Sequence, residues 1–304
     1  MEEISVSSEA KELYKKALGY VTRIQNEVRS ANLFHVGELF DLVSSMALSM
    51  ERSEQLNSYA IYYFDTNDIA RSHVVNVAIF SIILAKGIGY NGDELVNIGA
   101  AGILHDVGIG RIPQRLWEHE IESFTSDDRN LIQKHSKYGS DAILRSDHQL
   151  EELARCTLQH HERMNGTGYP NKLSEKEIHD YAKIISIIDT YESLIHPRNY
   201  RDALIPPLGL KEIIDQKGTS FSLKLVKSLI ENISIYPAGC FVELNSGEIA
   251  KVIKTNDRNP IRPVIRILYD SRGYAAKKQI TDLSANLLLR IEKCVPPPGM
   301  KQIK

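Results

Sequence analysis

Asp189 closes the run Ile184-Ile185-Ser186-Ile187-Ile188-Asp189, and a fold that buries this run buries an ionisable carboxylate with it. An unpaired charge in such surroundings costs several kcal/mol or is neutralised, so the fold must bring Asp189 a counter-charge. Side chains able to hold one recur along the chain. His105-Asp106 ends an apolar helical stretch carrying Leu95, Ile98, Ala101 and Leu104, and Gly108 follows. His160-His161-Glu162 ends another, and His73 and His135 lie in helical segments of their own. Neutral imidazoles and carboxylates are the ligands that borderline divalent metals prefer, and the two oxygens of Asp106 suit a bridge between two ions. His73, His105, Asp106, His135, His160, His161 and Asp189 together exceed what one tetrahedral site needs. The expectation is a two-metal hydrolytic centre drawn from distant helices. His35, His119, His148, His179 and His196 read as ordinary surface or core residues.

Periodicity makes the chain mainly α. Leu13, Ala17, Tyr20 or Val21, Ile24 and Val28 recur at helical steps, as do Leu39, Leu42 or Val43, Met46 and Met50, with a break near Asn32 to Gly37. Residues 1–60 are thus expected to form a helical hairpin or small bundle for packing, dimerisation or regulation. Helices also dominate 61–235. Thr66 or Asn67 is expected to cap one running to Ala85, and Asp93 the next. Further helices are expected over about Ser126–Leu144, Leu150–His161, Tyr181–Leu194, Leu208–Gln216 and Ser220–Asn232. Past Tyr236-Pro237 the pattern turns β-rich, with Phe241–Leu244, Ile249–Ile253 and Val264–Leu268 as strands and Asn245-Ser246-Gly247 as a hairpin turn. Residues 236–304 read as a small β appendage with a disordered Pro296–Gly299 tail.

A net charge of −2 argues against broad electrostatic binding of a nucleic-acid polymer. Cys156, Cys240 and Cys294 are odd in number and lack CxxC spacing, so they read as free thiols in a reducing compartment, and a cytoplasmic location is expected. The longest apolar run, Val74–Ala85, is interrupted by Asn76 and Ser81, so no membrane span is expected; the acidic N-terminus does not look like a signal peptide.

The order His73, His105-Asp106, His135, His160-His161, Asp189, together with Gly168-Tyr169-Pro170, resembles the HD-GYP family of HD-domain metal-dependent phosphohydrolases. Asp189-Thr190-Tyr191-Glu192-Ser193-Leu194 followed by Arg198-Asn199-Tyr200-Arg201 is similar to a further segment of that family. The resemblance covers about Ala70 to Tyr236, and the β-rich tail resembles an extension of some members. It implies an HD-domain helical bundle holding two iron or manganese ions, with the seven residues above as ligands and Asp106 as the bridge. It also implies hydrolysis of cyclic di-GMP to pGpG or GMP, with Arg198 and Arg201 binding phosphate. Tyr169 would stack on or hydrogen-bond the nucleotide, besides shaping its loop. Glu162 is expected to orient a histidine. Ile69 stands where some members carry a glutamate for a third metal, so two are expected.

Two positions depart from the family pattern. Ile109 replaces the lysine of H-D-x-G-K, which helps hold the scissile phosphate, and Asn165 stands where aspartate is common. Losing one such donor costs on the order of 10²–10³ in rate; Arg111, two residues on, is the nearest substitute in sequence. Three readings stay open: a cyclic di-GMP phosphodiesterase, slow for want of that lysine; a degenerate receptor that keeps metal and nucleotide but signals to a partner through its N-terminal helices or β tail; and a phosphohydrolase acting on another nucleotide or phosphate ester.

Overall fold

The computed structural model describes residues 8–53, 55–62, 68–118, 124–196, 204, 206–233, 236, 238–256 and 259–295. Arg198 and Arg201 lie outside these, as do Thr66, Asn67 and the Pro296–Gly299 segment.

The helices are α1 Ser8–Arg29, α2 Gly37–Arg52, α3 Gln55–Tyr62, α4 Ile69–Gly87, α5 Asp93–Leu104, α6 Arg115–Glu118, α7 Ser126–Gln133, α8 His135–Ser146, α9 Glu151–Gln159, α10 Asp180–Ile195, α11 Pro206–Asp215 and α12 Leu223–Asn232. A 3₁₀ turn, Val107–Arg111, follows α5. α4 is apolar nearly all round, as a helix buried on every side must be, and α1, α3, α5, α10 and α12 pack against it. By length and composition alone α4 would suffice to cross a membrane, but 72% of that stretch is buried inside the bundle. The apolar faces of α1 and α2 are turned inward too: Tyr14, Ala17, Val21, Ile24 and Val28, with Leu39, Val43 and Met46, belong to one apolar cluster that runs from Ala10 to Ile233.

Several boundaries differ from the sequence reading. The helix expected over Ser126–Leu144 is two helices, interrupted at Lys134. Neither glycine nor proline marks the break. The first helix is started by a capping box in which Thr125 Oγ1 accepts from the Asp128 amide at 3.1 Å while the Asp128 carboxylate accepts from the Thr125 amide at 3.1 Å. Asp93 is the first residue inside α5 and not its cap; Gly92, at φ +51°, holds that place.

Beyond the bundle, β1 Phe241–Leu244, β2 Ile249–Lys254, β3 Val264–Tyr269, β4 Ala275–Asp282 and β5 Ile291–Val295 form an antiparallel sheet in the order β4-β3-β2-β1-β5. β4 and β5 are additional to the three strands expected. Alternate residues of the central strands, Val242, Leu244, Ala250, Val252, Ile265 and Ile267, build a second apolar cluster with Cys240, Leu283 and Cys294. All three cysteines are free and buried.

Candidate metal centre

Helix ends set most of the site. The last carbonyls of a helix lack partners within it, and three histidines use this in the same way. His105 Nδ1 donates to Gly102 O, His135 Nδ1 to Ile132 O and His160 Nδ1 to Thr157 O, each at 2.7 Å and each three residues back. A carbonyl can only accept, so the ring proton sits on Nδ1 and the Nε2 lone pair points away from the helix. His73, inside α4, donates from Nδ1 to the Glu192 carboxylate of α10. Asp189 is one turn earlier on α10, with an oxygen 3.1 Å from His73 Nε2. The break at Lys134 is what places His135 at the start of α8.

The seven side chains singled out from sequence converge into two groups. Asp106, His135, His160 and His161 form one; His73, His105 and Asp189 form the other. Within each group the ligand atoms lie within 4.8 Å of one another. Asp106 faces both. Its Oδ1 is 3.2 Å from His135 Nε2 and 3.8 Å from His160 Nε2, while its Oδ2 is 3.6 Å from His105 Nε2. Burial alone would raise the Asp106 carboxyl, but His105, His135, His160 and His73 outweigh it and hold the group well below its ordinary value. Asp189 is likewise raised by burial and lowered further by His73 and His161. Burial and the neighbouring rings push His160 well below its usual value. His161 falls to about 3, chiefly through burial and against the pull of Asp189.

The donor set fits divalent cations. His105 Nε2 is fully buried and has no hydrogen-bond partner among the described residues. Its Nδ1 proton is committed to Gly102 O, so a bare lone pair faces the carboxylates with nothing to donate to it. A Lewis-acidic ion satisfies such an atom, and imidazole with carboxylate suits first-row metals.

The surrounding loops hold the site in shape. A Cβ on Gly108 would collide with the His135 carbonyl and the Gly139 amide, so only glycine lets the 3₁₀ turn lie against α8. Tyr169 lies over His161 with ring centroids 4.6 Å apart and planes inclined at 31°. Glu162 does not orient a histidine, contrary to expectation: its carboxylate accepts from the amides of Asn171 at 2.7 Å and Leu173 at 3.0 Å, and so ties down the loop that carries Tyr169. Asn165 Oδ1 accepts from Thr167 Oγ1 at 2.7 Å inside the same loop. Ile109 is half-buried in the 3₁₀ turn, and Arg111 is exposed with its guanidinium 5.8 Å from the Tyr138 ring centroid. Glu192 had no role in the sequence reading. Its signal was there, since a carboxylate three residues after Asp189 shares that helix face.

Residues 73–223 match the HD domain family, and residues 241–303 match the KOW domain associated with HD domain. Cyclic di-GMP phosphodiesterase PA4108 of Pseudomonas aeruginosa is 23% identical over 272 residues, covering 89% of this chain and 65% of the relative. Cyclic di-GMP phosphodiesterase PdeB of Borreliella burgdorferi is 28% identical over 196 residues, 64% of this chain and 51% of the relative. The 3'3'-cGAMP-specific phosphodiesterase 2 of Vibrio cholerae is 29% identical over 218 residues, 70% of this chain and 41% of the relative. The chain thus spans between two fifths and two thirds of the length of these curated relatives. Among solved structures, Bd1817, an HDG"Y"P protein from Bdellovibrio bacteriovorus, superposes with a TM-score of 0.62 at 19% identity over 75% of this chain and 73% of that one, a likeness of fold.

Proposed function

From the premise that this chain is an HD-domain protein of the HD-GYP type, we propose that it is a dinuclear-metal phosphodiesterase that hydrolyses a cyclic dinucleotide, cyclic di-GMP first, to pGpG or GMP. The observation that carries this reading is the division of ligand atoms into two groups with one Asp106 oxygen turned to each. His73, His105 and Asp189 would hold one divalent ion and His135, His160 and His161 the other, with Asp106 shared; the donors suit first-row divalent metals, and the resemblance to the HD-GYP family implies iron or manganese. Bound there, the ions would draw charge from phosphoryl oxygens and bring the pKa of water toward neutrality.

The chain's own groups do the rest. Imidazoles kept neutral by burial present lone pairs and not protons. Two carboxylates against two divalent cations leave the centre positive, which suits an anionic phosphodiester. Tyr169, fixed over His161, offers an aromatic edge to a base or ribose. By the resemblance to the family's phosphate-binding pair, Arg198 and Arg201 would bind the phosphate, whose geometry guanidinium forks match. Free thiols and an intracellular messenger as substrate support a cytoplasmic setting.

One observation favours a second reading. Ile109 offers no donor where an ammonium is expected, and Arg111 is exposed beside Tyr138. A slow enzyme, or a receptor that binds the messenger without cutting it, follows from that loss. Incubating anaerobically Mn- or Fe-loaded protein with cyclic di-GMP and with 3'3'-cGAMP separates the cases. Conversion to linear product supports the phosphodiesterase, and binding without turnover supports the receptor. Neither with either nucleotide overturns both.

A further inference from the structure

A chain of buried hydrogen bonds joins the N-terminal helix to a ligand of the metal centre. Tyr14 of α1 donates from its hydroxyl to Asn76 Oδ1 at 2.8 Å. Asn76 of α4 donates from Nδ2 to Glu192 Oε1 at 3.0 Å. Glu192 of α10 accepts from His73 Nδ1 through its other oxygen, and Oε1 also lies 2.9 Å from His196 Nδ1. Tyr14, Asn76 and Glu192 are at most 1% exposed and His73 is 4% exposed. Tyr14 lies far outside residues 73–223 in sequence.

We propose that Tyr14 is a positioning residue for His73, acting through Asn76 and Glu192, so that the seating of α1 sets how tightly the His73–His105–Asp189 group holds a divalent cation. Each link has a chemical reason. A carboxylate accepting the Nδ1 proton fixes the tautomer of the ring and makes Nε2 a stronger donor. Asn76 keeps that carboxylate in place only if its NH₂ faces Glu192; turned over, the amide would set oxygen against oxygen. The acceptor-only Glu192 carboxylate sets that orientation, and the Tyr14 hydroxyl holds it by donating to Asn76 Oδ1. The hydroxyl's second contact, to Ser72 O, is longer at 3.3 Å. The Tyr14 ring is itself packed edge-on against Tyr59 of α3, centroids 4.9 Å apart, and α1 also packs on the 3₁₀ turn that follows Asp106. The inference rests on the divalent-metal reading above.

The test is Mn²⁺ titration of the metal-free 304-residue chain by calorimetry, with thermal melting alongside. Tyr14→Phe removes only the hydroxyl, and should weaken one of the two cation sites about 3- to 10-fold, the effect of losing one buried hydrogen bond, with the other site unmoved. Glu192→Gln should weaken the same site about 10- to 100-fold. Adding Tyr14→Phe to Glu192→Gln should then change little, since the first acts through the second. Tyr20→Phe serves as the control: the same helix loses a hydroxyl that donates to His35 O at 2.9 Å, and Mn²⁺ affinity should stay at the wild-type value. Wild-type affinity in Tyr14→Phe, or equal loss in Tyr14→Phe and Tyr20→Phe, overturns the inference alone. A wild-type chain that takes up no Mn²⁺ or Fe²⁺ overturns the metal reading and this inference with it.

Discussion

His135 Nε2 and His160 Nε2 lie 3.3 Å apart, each on a ring whose Nδ1 proton is already given to a backbone carbonyl. As neutral imidazoles the two rings therefore turn lone pair toward lone pair, with Asp106 Oδ1 3.2 Å from the first. Such an arrangement is repulsive unless a cation sits among the three atoms. Metal removal should accordingly cost stability. At a cation concentration 100 times Kd, binding at one site adds about 2.7 kcal/mol, or about 4 °C in Tm for a chain of this size. Melting in EDTA and again after Mn²⁺ is restored measures it; identical curves would contradict a metal-linked fold.

Two ligand groups imply that metal can be lost by halves. His135→Ala removes a donor from one group and His105→Ala a donor from the other. Elemental analysis should find about two ions per wild-type chain and about one in each variant. One zinc per wild-type chain would instead mean that the seven side chains serve a single site.

The seven converging side chains were legible because each is an ionisable side chain set in or beside an apolar helical run, as Asp189 is after Ile184–Ile188. What holds them was not. The helix break at Lys134, which aims His135 into the site, carries no glycine or proline. Beside it the Gly108 turn docks against the His135 carbonyl and the Gly139 amide, a contact that periodicity does not record. Glu162 was expected to orient a histidine, but its partners are loop amides that only the folded chain brings within reach. β4 escaped notice because it is an edge strand exposed along most of its length, so it lacks alternation.

Acid should destabilise the metal-free protein in a defined window. His161 has a folded-state value of about 3, against about 6.5 unfolded, and His160 is lowered in the same direction. Between the two values for His161 the unfolded chain binds more protons, so stability is complete above pH ~6.5 and falls as pH drops toward 3, by at most about 1.4 kcal/mol per unit for His161, with His160 acting in the same direction. Denaturant midpoints of the EDTA-treated chain at pH 7.5, 6 and 5 should fall in that order. A flat profile would mean that both rings can protonate in the folded chain without penalty.

Gly108→Ala tests the seating of the 3₁₀ turn. The added methyl meets backbone atoms of His135 and Gly139, which cannot rotate away as a side chain could. Overpacking of this kind costs about 1–3 kcal/mol. Because the turn directly follows Asp106, metal affinity should weaken together with the melting temperature. Wild-type melting and metal content would show that α8 and the turn can separate at little cost.

Ile109→Lys bears on whether the centre is slow for want of one donor. Ile109 is half-buried, and its amide donates to Asp106 O at 2.9 Å, so position 109 is fixed within a single turn of the carboxylate that faces both ligand groups. A lysine there brings an ammonium on a flexible four-carbon stem with no change in the backbone. If that donor is what the site lacks, turnover of cyclic di-GMP should rise on the order of 10- to 100-fold, part of the 10²–10³ that such a group is worth when fully preorganised. Metal content should stay at the wild-type value, since Ile109 belongs to neither ligand group. A rate left unchanged at full metal loading would place the phosphate contact elsewhere, with Arg111 over Tyr138 as the next residue to replace. A rise confined to binding, with turnover still absent, would instead favour the receptor reading, because an ammonium that strengthens ground-state contact alone leaves the barrier where it was.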